Sequence, residues 1–139
     1  MFPVFQRSEL LPTKSQVLGL TLNGQARAYP LELLSRQLVI NDILGGQKLV
    51  VVAAGQGIGA RAYHSGLNRF SLAAGGREGK HNILIDQDSR SWRIEEEALV
   101  LDGDPDERLA RLPSRTSYWF GWFAFNPATQ VYDGPAAAP

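Results

Sequence analysis

The sequence predicts a single α+β domain, mainly antiparallel β-sheet, with a short helix after the first hairpin and an aromatic-rich helix near the C-terminus. Three observations carry that expectation. Two alternating apolar runs flank Asn23-Gly24, the pair that best tolerates positive φ in a two-residue hairpin turn. Short apolar runs then recur at hairpin spacing through the middle of the chain. Finally, Tyr118, Trp119, Phe120, Trp122, Phe123 and Phe125 crowd one stretch near the end. At 139 residues the chain is long enough for one modest core and too short for two. We expect residues 1–16 to be an N-terminal extension, 17–132 the domain, and 133–139 a flexible tail rich in Ala and Pro.

Taken in order, Val17 to Leu22 and Gln25 to Tyr29 form the first hairpin. Pro30 suits a first helical turn, so Leu31 to Arg36, with Leu at helical spacing, reads as a short helix. Leu38 to Ile40 and Lys48 to Ala53 read as strands joined through Asn41-Asp42 and Gly45-Gly46, and the second is apolar enough to be central. Ala60 to His64, Arg69 to Ala73, Asn82 to Asp86 and Ser91 to Ile94 follow as short strands. Between them lie the polar Gly75 to Lys80 segment and turn-forming runs; Asp102 to Asp106 is a turn-rich loop. Leu109 to Pro113 leads into the aromatic helix. On that helix Tyr118, Trp122 and Phe125 share a face, Trp119 and Phe123 widen it, and Phe120 lies nearly opposite.

Composition excludes several classes of function. Lys plus Arg equals Asp plus Glu at 14 each, which gives no reason to invoke nucleic acid or an anionic membrane. Without cysteine the chain has no disulfide, thiolate metal site or thiol nucleophile. No apolar run is long enough to span a bilayer, so the chain reads as soluble; it reads as cytoplasmic as written, or as exported if a leader was removed.

The chemically suggestive constellations each have a plainer reading. Gly55-Gln56-Gly57-Ile58-Gly59 follows a strand, yet its spacing is not that of a nucleotide loop and no helix follows, so a turn or bulge is expected. His64, His81, Asp86 and Asp88 could supply a nitrogen-oxygen metal set, although their spacing fits no compact template. Asp102, Asp104 and Asp106 alternate as in a calcium loop, but Pro105 interrupts them and the closing Glu is missing. Glu95-Glu96-Glu97 reads as a charged surface run, and Ser65 and Ser71 have no evident base partner.

Asn23-Gly24-Gln25-Ala26-Arg27-Ala28-Tyr29-Pro30, followed by Val39-Ile40-Asn41-Asp42 and Gly45-Gly46, resembles the bacterial and archaeal family called domain of unknown function 3179. The resemblance resumes at Trp119-x-x-Trp122-x-x-x-Asn126-Pro127-x-Thr129-x-Val131, where Asn126 stands in place of the family's His. Asn82 to Asp86 and Trp92 follow the family's middle segment more loosely. The family's C-P-x-C-G run is replaced by Ala53-Ala54-Gly55-Gln56-Gly57, and Arg36-Gln37-Leu38 stands where the family has W-H-E. The resemblance therefore implies a degenerate member, to which metal or redox work at those positions does not carry over.

From this we expect a non-catalytic interaction or accessory subunit of a larger bacterial assembly, without a cofactor. It would meet a protein partner or a second copy through Trp119, Phe120, Trp122 and Phe123. Phe120 and Phe123 stand where the resemblance implies polar or small residues, and burying them against a partner would contribute about 3 to 6 kcal/mol before docking costs. The alternative is a small-ligand or metal-binding protein, with Arg27, Tyr29 and Asp42 as ligand contacts or the His64, His81, Asp86 and Asp88 set as metal ligands.

Overall fold

The computed structural model describes residues 11–53, 59–73 and 83–132. The first ten residues, most of the glycine loop, the Gly75 to Lys80 segment, His81 and the tail from residue 133 lie outside the described residues. Strand β1 (Gln16–Leu22) and β2 (Gln25–Pro30) form the expected hairpin, with Asn23 and Gly24 both at positive φ. Helix α1 (Leu31–Leu34) follows at once and buries Leu34. Strands β3 (Val39–Leu44) and β4 (Gln47–Val52) make a second hairpin whose turn places Gly45 and Gly46 at positive φ. The short strands are β5 (Arg61–His64), β6 (Ser71–Leu72), β7 (Ile83–Ile85), β8 (Ser91–Ile94) and β9 (Ala98–Leu101). Then come β10 (Arg108–Leu112), β11 (Arg115–Tyr118), helix α2 (Trp119–Phe125) and β12 (Gln130–Val131).

These strands build two sheets. One has the order β11-β1-β2-β12, antiparallel except where β12 runs parallel to β2. The other, β3-β4-β5-β10-β9-β8-β7-β6, is antiparallel throughout and curls toward a barrel. The two ends of that curl are joined by one side chain. Asn41 on β3 donates from Nδ2 to the Phe70 carbonyl at 2.8 Å and accepts the Phe70 N–H on Oδ1 at 2.8 Å. Its carboxamide thus pairs like a peptide across a gap that no backbone ladder spans, just before β6.

Alternation along the strands sorts the core into three clusters. Val50, Val52, Tyr63, Leu84, Trp92 and Leu99 fill the curl. Leu49, Val51, Ile40 and Ala62, on the opposite face, pack against Leu18, Leu20, Tyr29 and Leu34 of the first hairpin and α1. Val17 and Ala28 meet Trp119, Trp122 and Phe123 on the outer face of the smaller sheet. Among the described residues no helix is long and apolar enough to cross a membrane.

Several expectations need correction. Asn41 and Asp42 do not join strands; they belong to β3, which runs on to Leu44. The segment before the aromatic helix forms β10 and β11, because Arg111 and Leu112 pair with β5 while Arg115 to Tyr118 pair with β1. Tyr118 is therefore the last residue of a strand, and α2 begins at Trp119. Its first N–H groups are taken by the incoming chain, Trp119 N to Ser15 O at 2.7 Å and Phe120 N to Thr13 O at 3.2 Å. The buried face is Trp119, Trp122 and Phe123, spaced i, i+3, i+4, so the helix is rotated from the expected Tyr118, Trp122, Phe125 face. Tyr118 and Phe125 are exposed.

Candidate functional site

In β2, odd-numbered residues face the larger sheet while Ala26 and Ala28 turn toward α2. In β3, Ile40, Asp42 and Leu44 face back toward β2, and Asn41 points the other way to close the curl. Two adjacent residues therefore do two separate jobs. The facing side chains clasp the hairpins from tip to base. Asn23 Nδ2 donates to the Gly45 carbonyl at 2.7 Å, and Gln25 Oε1 accepts the Gly45 N–H at 3.1 Å. Arg27 Nη1 donates to Asp42 Oδ2 at 2.6 Å and to the Ile43 carbonyl at 3.0 Å; Tyr29 Oη donates to the same Asp42 oxygen at 2.7 Å. Asp42 Oδ1 accepts the Ile43 N–H at 2.8 Å, and Gln130 accepts Arg27 Nε at 3.0 Å. The Arg27–Asp42 pair thus also covers peptide groups on the edge strand β3.

These contacts set the electrostatics. Burial alone would lower the Arg27 pKa, but its hydrogen bond to Asp42 and the charge there outweigh that and raise it. Burial raises the Tyr29 pKa, and the hydrogen bond to Asp42 and its charge raise it further. The sign for stability follows. A phenol kept neutral in the fold ionises near pH 10 once unfolded, so its stabilisation is full below about pH 10 and is lost as pH rises above it. Denaturant midpoints of the native chain should fall above about pH 10 more steeply than those of Tyr29→Phe. Equal slopes would place the phenol outside this network.

Beside the clasp opens a cleft of about 880 Å³ lined by Arg27, Asp42, Lys48, Arg69 and Gln130, with Ile43 and Leu67 also on its wall. Of the expected ligand contacts, Arg27 and Asp42 are on this lining, and Tyr29 lies buried behind them, its ring 5.4 Å from that of Tyr132. Arg27 and Asp42 spend most of their hydrogen-bonding capacity on each other and on their neighbours. Lys48 and Arg69, which the sequence did not single out, have no carboxylate within ion-pair distance among the described residues. Lys48 lies opposite Ile43 in the β3–β4 register. The backbone at Arg69 is pinned on both sides: Gln87 Oε1 accepts its N–H at 2.9 Å, and Asn41 holds the next residue.

Of the alternative metal set, His64, Asp86 and Asp88 are among the described residues. His64 sits on β5, partly buried and off the cleft wall; His81 lies outside the described residues. Asp86 is buried and accepts Trp92 Nε1, Arg90 Nε and the N–H groups of Asp88 and Arg90, each at 2.9 Å, so its oxygens are committed. Among the described residues no group of three His, Cys, Asp or Glu could hold a metal ion. Burial would raise the Asp86 pKa, but the hydrogen bond from Trp92, the two backbone N–H groups and the Arg90 charge together lower it.

Of the expected partner contacts, Trp119, Trp122 and Phe123 are core residues, and Phe120 alone is exposed. Trp122 Nε1 donates to Thr129 Oγ1 at 2.8 Å, and Asn126 Nδ2 to the Trp122 carbonyl at 3.1 Å. Among the described residues the exposed aromatics are Tyr118, Phe120 and Phe125, with the Tyr118 and Phe120 rings stacked 6.3 Å apart.

The family model described as "Protein of unknown function (DUF3179)" matches residues 1–129, and the chain belongs to that family. No curated protein and no solved structure matches the chain. The residues that resemble the family's motifs include three bonded sets: the clasp of Gln25, Arg27, Tyr29 and Asp42, the Asp86–Trp92 bond, and the Trp122–Thr129 bond. Of the Ala53 to Gly57 segment only Ala53 is among the described residues, and the chain has no cysteine.

Proposed function

We propose that this DUF3179 member works by binding rather than by catalysis, and that the cleft beside the Arg27–Asp42 clasp is its small-ligand site. One observation carries the reading: two cations without a carboxylate partner among the described residues, Lys48 and Arg69, stand on braced backbone around an 880 Å³ cleft. That volume falls within the range of pockets that hold metabolite-sized molecules. The nearby carboxylate, Asp42, is tied to Arg27, Tyr29 and the Ile43 N–H, an arrangement suited to holding the two sheets in register at the cleft.

A second reading, an accessory subunit that docks on a protein partner, is favoured by Phe125 at 87 % and Phe120 at 55 % exposure on one short helix. Here the contact would be Tyr118, Phe120 and Phe125. A single measurement separates the readings: the native mass of the protein recovered gently from its host. A small stoichiometric excess over 15.3 kDa supports the cleft, whereas a mass corresponding to a second chain supports the aromatic contact. A bare monomer at the sequence mass would count against both.

A further inference from the structure

We infer that the cleft selects a small organic anion carrying an apolar arm, its acidic head held by Lys48 and Arg69 and its hydrocarbon part lying along Ile43 and Leu67; this rests on the cleft being the binding site. Charge comes first. The described lining carries Arg27, Lys48 and Arg69 against the single carboxylate of Asp42, and the Arg27–Asp42 ion pair at 2.6 Å cancels within itself. The two remaining cations give the cleft a local positive excess in a chain whose formal net charge is zero.

An ordered backbone beneath both cations favours a defined head site. A guanidinium presents a planar fork to carboxylate or phosphate, and an ammonium adds a point charge. The Arg69 backbone is fixed by Gln87 and, one residue on, by the two Asn41 hydrogen bonds. Gln87 is in turn held by its Nε2 bond to Asn68 Oδ1 at 3.0 Å. The Lys48 carbonyl accepts the Ser65 N–H at 3.4 Å, which ties its strand to the turn bearing Leu67. Both cations therefore stand on backbone already ordered, which lowers the entropic cost of engaging a ligand.

The apolar component comes from Leu67, 88 % exposed, and Ile43, 55 % exposed, on the same cleft. Single exposed aliphatics are ordinary, but two beside a pair of cations with no carboxylate partner among the described residues form an amphipathic wall. A purely inorganic anion would leave that wall wet, and a neutral hydrocarbon would leave the cations unused.

The test uses the full chain and three eight-carbon probes, octanoate, octyl phosphate and neutral octanamide, in calorimetric titrations. We expect at least one anion to bind, octanamide to bind at least about tenfold more weakly, and Lys48→Gln/Arg69→Gln to weaken that anion by about tenfold or more. Both side chains lie at exposed positions, so the double variant should keep the native circular dichroism spectrum. Which anion binds better distinguishes a carboxylate from a phosphate source. Equal binding of octanamide, unchanged binding by the double variant, or no anion binding up to about 10 mM would overturn the inference. A neutral molecule found on host-derived protein would overturn it too, while leaving the cleft as the binding site.

Discussion

Replacing Asp86 with alanine is expected to lower stability by about 3 to 5 kcal/mol, a large fraction of what a domain this size possesses. The carboxylate is fully buried and accepts four N–H groups, from Trp92 Nε1, Arg90 Nε and the Asp88 and Arg90 backbones. Alanine would leave the indole and both peptide donors unpaired in the turn between β7 and β8. The β7–β8 hairpin and Trp92, a core residue of that sheet, would lose their anchor together. Because the folded pKa of Asp86 is lowered, its contribution is full above the unfolded carboxylate value of about 4 and is lost as pH falls through the folded one. Urea midpoints should therefore drop on acidification in the native chain and vary less in Asp86→Asn, which would already be weaker at pH 7. If Asp86→Ala unfolds at the native midpoint, the network is not what holds Trp92.

How far the sequence disclosed this architecture depended on whether the signal was local. The Asn23-Gly24 turn announces itself because both residues must reach positive φ, and Ser91 to Ile94 reads as a strand with the bounds it has. Arg108 to Leu112 does not, since what makes it a strand is pairing with β5 on one side and β9 on the other, contacts made across the chain. Six crowded aromatics suggested one surface. The structure divides them between a core face against Val17 and Ala28 and an exposed remainder, a division that depends on which side of the first sheet the helix meets. Likewise Arg27, Tyr29 and Asp42 were legible from their motifs, and they do come together. Lys48 and Arg69 were not, because they reach one cleft through the β3–β4 register and the Asn41 bridge to Phe70, neither of which leaves a spacing in the sequence.

The glycine inside β1 is fixed by the ring packed on it. Gly19 lies in strand register with Ala28 and Arg115, and a Cβ built there would overlap the six-membered ring of Trp122. Its backbone does not require left-handed φ; the constraint is close approach, with the indole lying on the bare strand. Gly19→Ala should therefore cost about 3 kcal/mol or more, since the ring must leave its place and its Nε1 bond to Thr129 goes with it. If steric overlap is the cause, trimming the ring should relieve it. Trp122→Leu alone leaves a cavity and is destabilising, but in the double variant the added methyl occupies part of that space, so the two losses should fall short of their sum by about 1.5 kcal/mol or more. Thermal and urea unfolding of the four chains measure this directly. Strict additivity would mean that the indole does not rest on Gly19, and the packing of α2 against the first sheet would have to be redrawn.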